Sequence, residues 1–159
     1  MKKIIFAVFG LVLLLYAGIF IVSALNGNKC FYVTNGSMGN AAPFGSLIVT
    51  EQTPYEQLSV GDIVSFYDSE GANAFTHRIT EKDDENRLLY TKGDANNVED
   101  PVPASYDYFA GRVVWVVPFL GFISMVLHSP FGVAAVLCIL AVFVIAEIII
   151  LKKRRGGAK

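Results

Sequence analysis

The run Asp62-Ile63-Val64-Ser65-Phe66-Tyr67 is short, β-branched and aromatic, and runs of the same kind lie on both sides of it. Upstream are Phe31-Tyr32-Val33-Thr34 and Ser46-Leu47-Ile48-Val49-Thr50; downstream are Ala74 to Thr80, Arg87 to Thr91 and Arg112 to Val117. Such residues suit a pleated, half-buried surface, and clusters of Gly, Pro, Asn or Asp separate most of the runs. Glu81-Lys82-Asp83-Asp84-Glu85-Asn86 reads as a solvated hairpin tip. Between residues 26 and 130 there is no convincing helical stripe and no internal repeat. The expectation for this region is a single mainly β domain.

Outward from that domain the composition changes. The chain of 159 residues is 53% hydrophobic and only 17% charged, too apolar for an ordinary soluble domain. The excess sits in two stretches, Ile4 to Leu25 and Phe131 to Leu151, whose only charge is Glu147. Each is long enough, at ~1.5 Å per residue, to cross a ~30 Å hydrocarbon layer. The first could instead be a cleavable signal peptide, with Lys2 and Lys3 as its charged end and Val22-Ser23-Ala24 as its cleavage site. Its apolar core exceeds the usual ~7–15 residues, which favours a retained anchor. The expected organisation is a transmembrane anchor (1–25), an extracytoplasmic β-rich domain (26–130), a C-terminal transmembrane helix (131–151) and a basic tail (152–159). Within the domain, 113–127 reads as a strand followed by a membrane-associated segment, broken by Pro118 and Gly121.

Charge predicts the topology. Lys2, Lys3, Lys152, Lys153, Arg154, Arg155 and Lys159 lie at the two ends, while six basic and thirteen acidic residues lie between the spans, a formal charge of −7. Short basic ends stay cytoplasmic, so an integral protein of two spans is expected, with both termini inside and the β domain outside. After a hydrophobic stretch the Lys-Lys-Arg-Arg run reads as an anchor favouring anionic membrane lipid rather than as a nucleic-acid patch. Glu147, near that run, reads as a snorkelling or paired acid. Cys30 and Cys138 have no metal-ligand or CxxC spacing and read as bystanders.

Four patterns inside the domain carry chemistry: Asn35-Gly36-Ser37-Met38, Val60-Gly61-Asp62-Ile63-Val64, Thr76-His77-Arg78-Ile79, and Thr91-Lys92-Gly93-Asp94-Ala95-Asn96-Asn97-Val98-Glu99-Asp100. They supply a Ser, a His and two Asp residues. A hydroxyl needs a base to take its proton, and imidazole, with pKa near ~6.5, does this at neutral pH. A carboxylate behind the ring sets its tautomer and stabilises the imidazolium. Composition alone leaves open whether these residues meet in space. No His/Cys cluster and no phosphate-cradling glycine loop is present, so no metal and no nucleotide cofactor is expected.

In order and wording these patterns resemble the type I signal peptidases, specifically the Ser-His branch of the endoplasmic reticulum, archaea and some Gram-positive bacteria. That family has a Ser-Met box, a Val-Gly-Asp box, a His-Arg box, a Lys-Gly-Asp-Asn box and a Gly-Arg segment, here Gly111-Arg112-Val113-Val114-Trp115-Val116-Val117-Pro118-Phe119-Leu120-Gly121. The resemblance covers about residues 31–123. It implies a signal-peptidase-like β fold in which Ser37 is the nucleophile, His77 the general base and Asp100 the third catalytic residue. Asp94 matches the family's other acid, whose implied role is to hold the His and Asn loop in place; a turn role for Asp94 is compatible with that. Ser37 N–H and the Asn35 side-chain amide are the implied oxyanion donors, with Gly36 and Met38 beside them.

Two features depart from the family. Asn35 stands where a Ser is usual, and where the family usually has Pro two after the Ser-Met pair this chain has Gly39-Asn40, with proline only at Pro43, so the loop is expected to be less rigid. Asn35-Gly36-Ser37 also spells a glycosylation sequon, but a glycan there would block the site. Lys92 reads as an exposed or ion-paired residue rather than a competing base, and His128 as an interfacial bystander. The resemblance implies a serine endopeptidase that removes signal peptides from exported preproteins, alone or with secretion-machinery or peptidase-complex subunits, and without nucleic acid. The alternative is a non-catalytic, membrane-anchored subunit that binds signal sequences.

Overall fold

A computed structural model describes residues 2–68, 71, 73–132, 134 and 138, with the side chains of 2–9 and 13 outside that description. The chain divides into two compact units, Met1–Phe122 and Ile123–Lys159. Helix α1 (Lys2–Leu25) precedes strands β1 (Lys29–Tyr32), β2 (Leu47–Glu51), β3 (Ile63–Tyr67), β4 (Ala74–Asp83), β5 (Leu88–Lys92), β6 (Ala104–Ser105) and β7 (Phe109–Val117); helix α2 (Gly121–His128) follows.

The seven strands form one sheet in the order β1-β2-β7-β3-β4-β5-β6, and every ladder is antiparallel. The last strand is inserted between β2 and β3. There Arg112 of β7 reaches Glu51 at 2.6 Å and Asp62 at 3.8 Å, which ties the Gly-Arg segment to the Val-Gly-Asp pattern. Alternation on β3 separates two apolar clusters, as the period of two requires. Val64 and Phe66 join Ile79, Leu89 and Phe109, whereas Ile63 packs against Met38, Ala42 and Ile48. Met38, Ile48 and Phe66 are essentially sealed from solvent, and each such side chain contributes about 1.5–3 kcal/mol by burial.

Strand β4 changes partner along its length. Ala74 to Arg78 pair with β3, and Arg78 to Asp83 pair with β5. Residues 74–77 therefore have a ladder on one side only, as does β1, which pairs with β2 alone among the described strands. These one-sided segments border the site described below.

All six β-like runs contain strands, with ends shifted by up to three residues. The two-residue β6 is too short to show a pattern. The expectation of no helix between 26 and 130 fails at Gly121–His128: two helical turns of almost wholly apolar sequence have no polar face to reveal a period. The expected pair of transmembrane helices is overturned, because among the described residues no helix is long and apolar enough to cross a membrane. The second expected span, 131–151, lies outside the described residues except at 131, 132, 134 and 138, as do Glu147 and the tail 152–159. An integral two-span membrane location with cytoplasmic termini is likewise corrected; the observed architecture is a mostly β antiparallel sheet with few helices.

Candidate active site

Ser37 lies in the loop after β1, and its position follows from its neighbour. The Met38 side chain is buried in the second apolar cluster with Ala42 and Ile48, which pulls the loop against the sheet. Gly39 N–H donates to Gly36 O (2.9 Å) and Ala41 N–H to Met38 O (3.0 Å). Gly39 takes φ +51°, a left-handed conformation closed to proline. The loop is thus held by a buried anchor and turn hydrogen bonds in place of the ring constraint that a proline would supply.

A second loop clamps the first. Ala95 N–H donates to Ser37 O at 2.8 Å. A Cβ on Gly93 would stand 2.7 Å from that same oxygen and 2.8 Å from Asn96 Nδ2, so only glycine permits this approach. Asp94 is engaged by Arg78, whose Nε and Nη2 donate to its two carboxylate oxygens at 2.8 and 2.6 Å while Nη1 donates to Gly61 O at 2.7 Å. These hydrogen bonds hold the Asp94 carboxyl below the usual carboxylate range, against the opposing effect of burial, and raise the Arg78 value in return. Asp94 thereby joins the loop, β4 and the turn before β3.

His77 projects from the one-sided part of β4, opposite Val64 of β3. Its Nε2 lies 3.2 Å from Ser37 Oγ and its Nδ1 lies 2.6 Å from Asp100 Oδ2. The His77 and Asp100 side chains are 13% and 20% exposed, sheltered yet open to one side. Asp100 is carried back to the sheet by its backbone N–H, which donates to Thr91 O at 2.9 Å. Thr91 Oγ1 also donates to Asp100 Oδ2, at 2.6 Å. Ser37, His77 and Asp100, far apart in sequence, thus form one hydrogen-bonded line, with Nδ1–H facing the carboxylate and Nε2 facing the hydroxyl.

Asn35 is oriented otherwise than its proposed donor role requires. Ser37 N–H donates to Asn35 Oδ1 at 3.1 Å, and the single Ser37 hydroxyl proton has two acceptors within reach, Asn35 Oδ1 at 2.9 Å and His77 Nε2 at 3.2 Å. A backbone N–H can only donate, so the carboxamide oxygen must face it. Gly36 supplies the carbonyl that closes the turn, and Met38 is an anchor. Lys92 stands opposite Arg78 in the β4–β5 ladder, while the side-chain nitrogen within reach of the Ser37 hydroxyl is Nε2 of His77. His128 Nδ1 donates to Ser124 O within α2, at 2.8 Å. Cys30 and Cys138 are free thiols. Arg78 and Thr91 were visible beside the singled-out residues, but sequence carried no sign of their partners.

The Ser37–His77 pair opens on a cavity of about 270 Å³. It is lined by residues 31–35 and 74–77, with the buried Met38, Ala42 and Ile48. Phe75 stands edge-on to the His77 ring at 6.1 Å between centroids and stacks on Phe66. Among the described residues no three His, Cys, Asp or Glu side chains converge as a metal-ligand set. Comparison with known proteins finds no matching family model and no match among curated proteins.

Proposed function

We propose that the chain is a serine endopeptidase of the type I signal peptidase kind, cutting signal peptides from exported preproteins. The observation that carries this reading is the line from Ser37 Oγ through His77 to Asp100, at 3.2 and 2.6 Å, beside an open cavity. In the first half-reaction Ser37 Oγ attacks the scissile carbonyl carbon as His77 Nε2 takes the hydroxyl proton. Asp100 stabilises the resulting imidazolium. The tetrahedral adduct collapses, the C–N bond breaks, and His77 returns the proton to the leaving amine. Water, deprotonated by the same nitrogen, then attacks the acyl ester and releases Ser37.

Substrate geometry follows from the strand edges. An extended peptide can pair with residues 31–35 and with 74–77, which leaves sequence choice to the cavity between them. That cavity, about 270 Å³, lies below the ~300–1,000 Å³ of ordinary ligand pockets and is walled by Phe31, Val33, Ile48 and Phe75. It suits small side chains at the positions before the cut. The carbonyl of a bound substrate takes over the Ser37 N–H from Asn35 Oδ1, giving the tetrahedral oxyanion a backbone donor.

The test is incubation of the purified protein with a preprotein bearing a small-x-small cleavage site, followed by mass spectrometry of the new N-terminus. Cleavage after that site, abolished in Ser37→Ala and His77→Ala, is the expected result. Binding of the preprotein without any cut by the intact protein would overturn the enzymatic reading in favour of a signal-sequence-binding subunit.

A further inference from the structure

We infer that Thr91 is a positioning residue for this relay, acting through Asp100; the inference rests on the serine-peptidase reading and adds to it a fourth side chain. Thr91 is 1% exposed and sits on the buried face of β5 beside Leu89, across the ladder from Ile79. Valine has the same shape and is the ordinary occupant of such a site. A hydroxyl sealed there requires a partner, because leaving it unsatisfied costs about 1–3 kcal/mol. Its partner is Asp100 Oδ2 at 2.6 Å, the short distance of an O–H donor on an ionised carboxylate.

Three consequences follow from this contact. Thr91 grips Asp100 twice, since its carbonyl also accepts the Asp100 backbone N–H at 2.9 Å. Both donors, Thr91 Oγ1 and His77 Nδ1, converge on the same oxygen. With two donors converging on it, Oδ2 acts as the acceptor that holds the Nδ1–H of His77, and this contact turns Nε2 toward Ser37. Without the hydroxyl the carboxylate, 20% exposed, is free to turn about its Cβ–Cγ bond toward solvent. The imidazole then loses the contact that sets its tautomer. Thr91 lies outside the cavity lining, so this effect reaches turnover without touching the bound peptide. The other charged groups near the ring, Asp94 and Arg78, are paired with each other and are untouched by a change at Thr91.

The experiment compares Thr91→Val, Thr91→Ser and Ser37→Ala in the full chain. Preprotein cleavage is measured alongside the low-field proton resonance of His77 Nδ1–H. Thr91→Val is expected to lower kcat about ten- to hundredfold, the scale on which partners that orient a functional side chain act, with KM within about twofold. It should also shift or broaden the resonance. Thr91→Ser should restore both kcat, to within about threefold, and the signal, since it returns the donor. Unchanged kcat in Thr91→Val, an unmoved resonance, or Thr91→Ser as impaired as Thr91→Val would each overturn the inference. If Thr91→Val does not fold, Thr91→Cys, a weaker donor, should show an intermediate kcat, and full activity there would overturn it equally. Activity persisting in Ser37→Ala would defeat the peptidase reading instead, and the resonance would still decide the role of Thr91.

Discussion

Replacing Asp100 by Asn removes one charge from the relay and changes almost no volume. The carboxylate lies 2.6 Å from His77 Nδ1, with both side chains at most one-fifth exposed. With the charge centres of carboxylate and imidazolium about 4 Å apart, an effective dielectric near 20 gives an attraction of about 4 kcal/mol. That energy exists only while the ring is protonated, in the transition states flanking the tetrahedral adduct, so its loss falls on kcat rather than on binding. At about 1.4 kcal/mol per decade this is nearly a thousandfold. Solvent at the carboxylate trims the figure, and we expect a loss of about a hundred- to a thousandfold if the amide oxygen keeps the place of Oδ2. If the amide nitrogen faces the ring instead, the wrong tautomer deepens the loss toward ~10⁴-fold. The assay is steady-state cleavage of the preprotein, with thermal melting run in parallel to show that the fold is intact. A folded Asp100→Asn protein within tenfold of the parent kcat, while Ser37→Ala is inactive, would refute the electrostatic argument.

Two further outcomes are expected. The Asp94 carboxyl is held below the usual range by Arg78, so its contribution to stability is present above the unfolded value of about 3.9 and fades as pH falls through the folded value. The melting-temperature gap between the parent and Asp94→Asn, about 2–4 °C for a pair contributing about 1 kcal/mol, should be full above about pH 5 and shrink below about pH 4; a gap constant down to pH 2 would count against the ion pair. Asn35→Ala removes an acceptor from Ser37 rather than an oxyanion donor, and kcat should stay within about threefold of the parent. A fall beyond about a hundredfold, the cost of losing a true oxyanion donor, would mean that the carboxamide turns over during the reaction.

Local chemistry made the strands legible in the sequence. Runs such as Ile63 to Tyr67 and Leu47 to Thr50 combine β-branched or aromatic side chains with nearby breakers, and that pattern does not depend on distant contacts. Ser37, His77, Asp94 and Asp100 were legible because each sits in a distinctive short box. Apolar length and flanking charge, by contrast, did not settle the flanks: the expectation of two spans rested on them, and among the described residues no helix is long and apolar enough to cross a membrane.

Sequence by itself determined which residue types were available for the proposed acyl transfer and which segments were extended. Only the tertiary structure decided how they meet. Inserting β7 between β2 and β3 is a choice among long-range pairings that no local window encodes. The same holds for the two carboxylates, alike in sequence and separated in role: Asp94 meets a guanidinium and Asp100 an imidazole. Asn35 carries both a donor and an acceptor, and the fixed direction of one backbone N–H selects the acceptor. Thr91 looks like any β-former until Asp100 folds back upon it. Hydrogen bonds depend on ångström distances and directions, and those exist only after the chain has closed on itself.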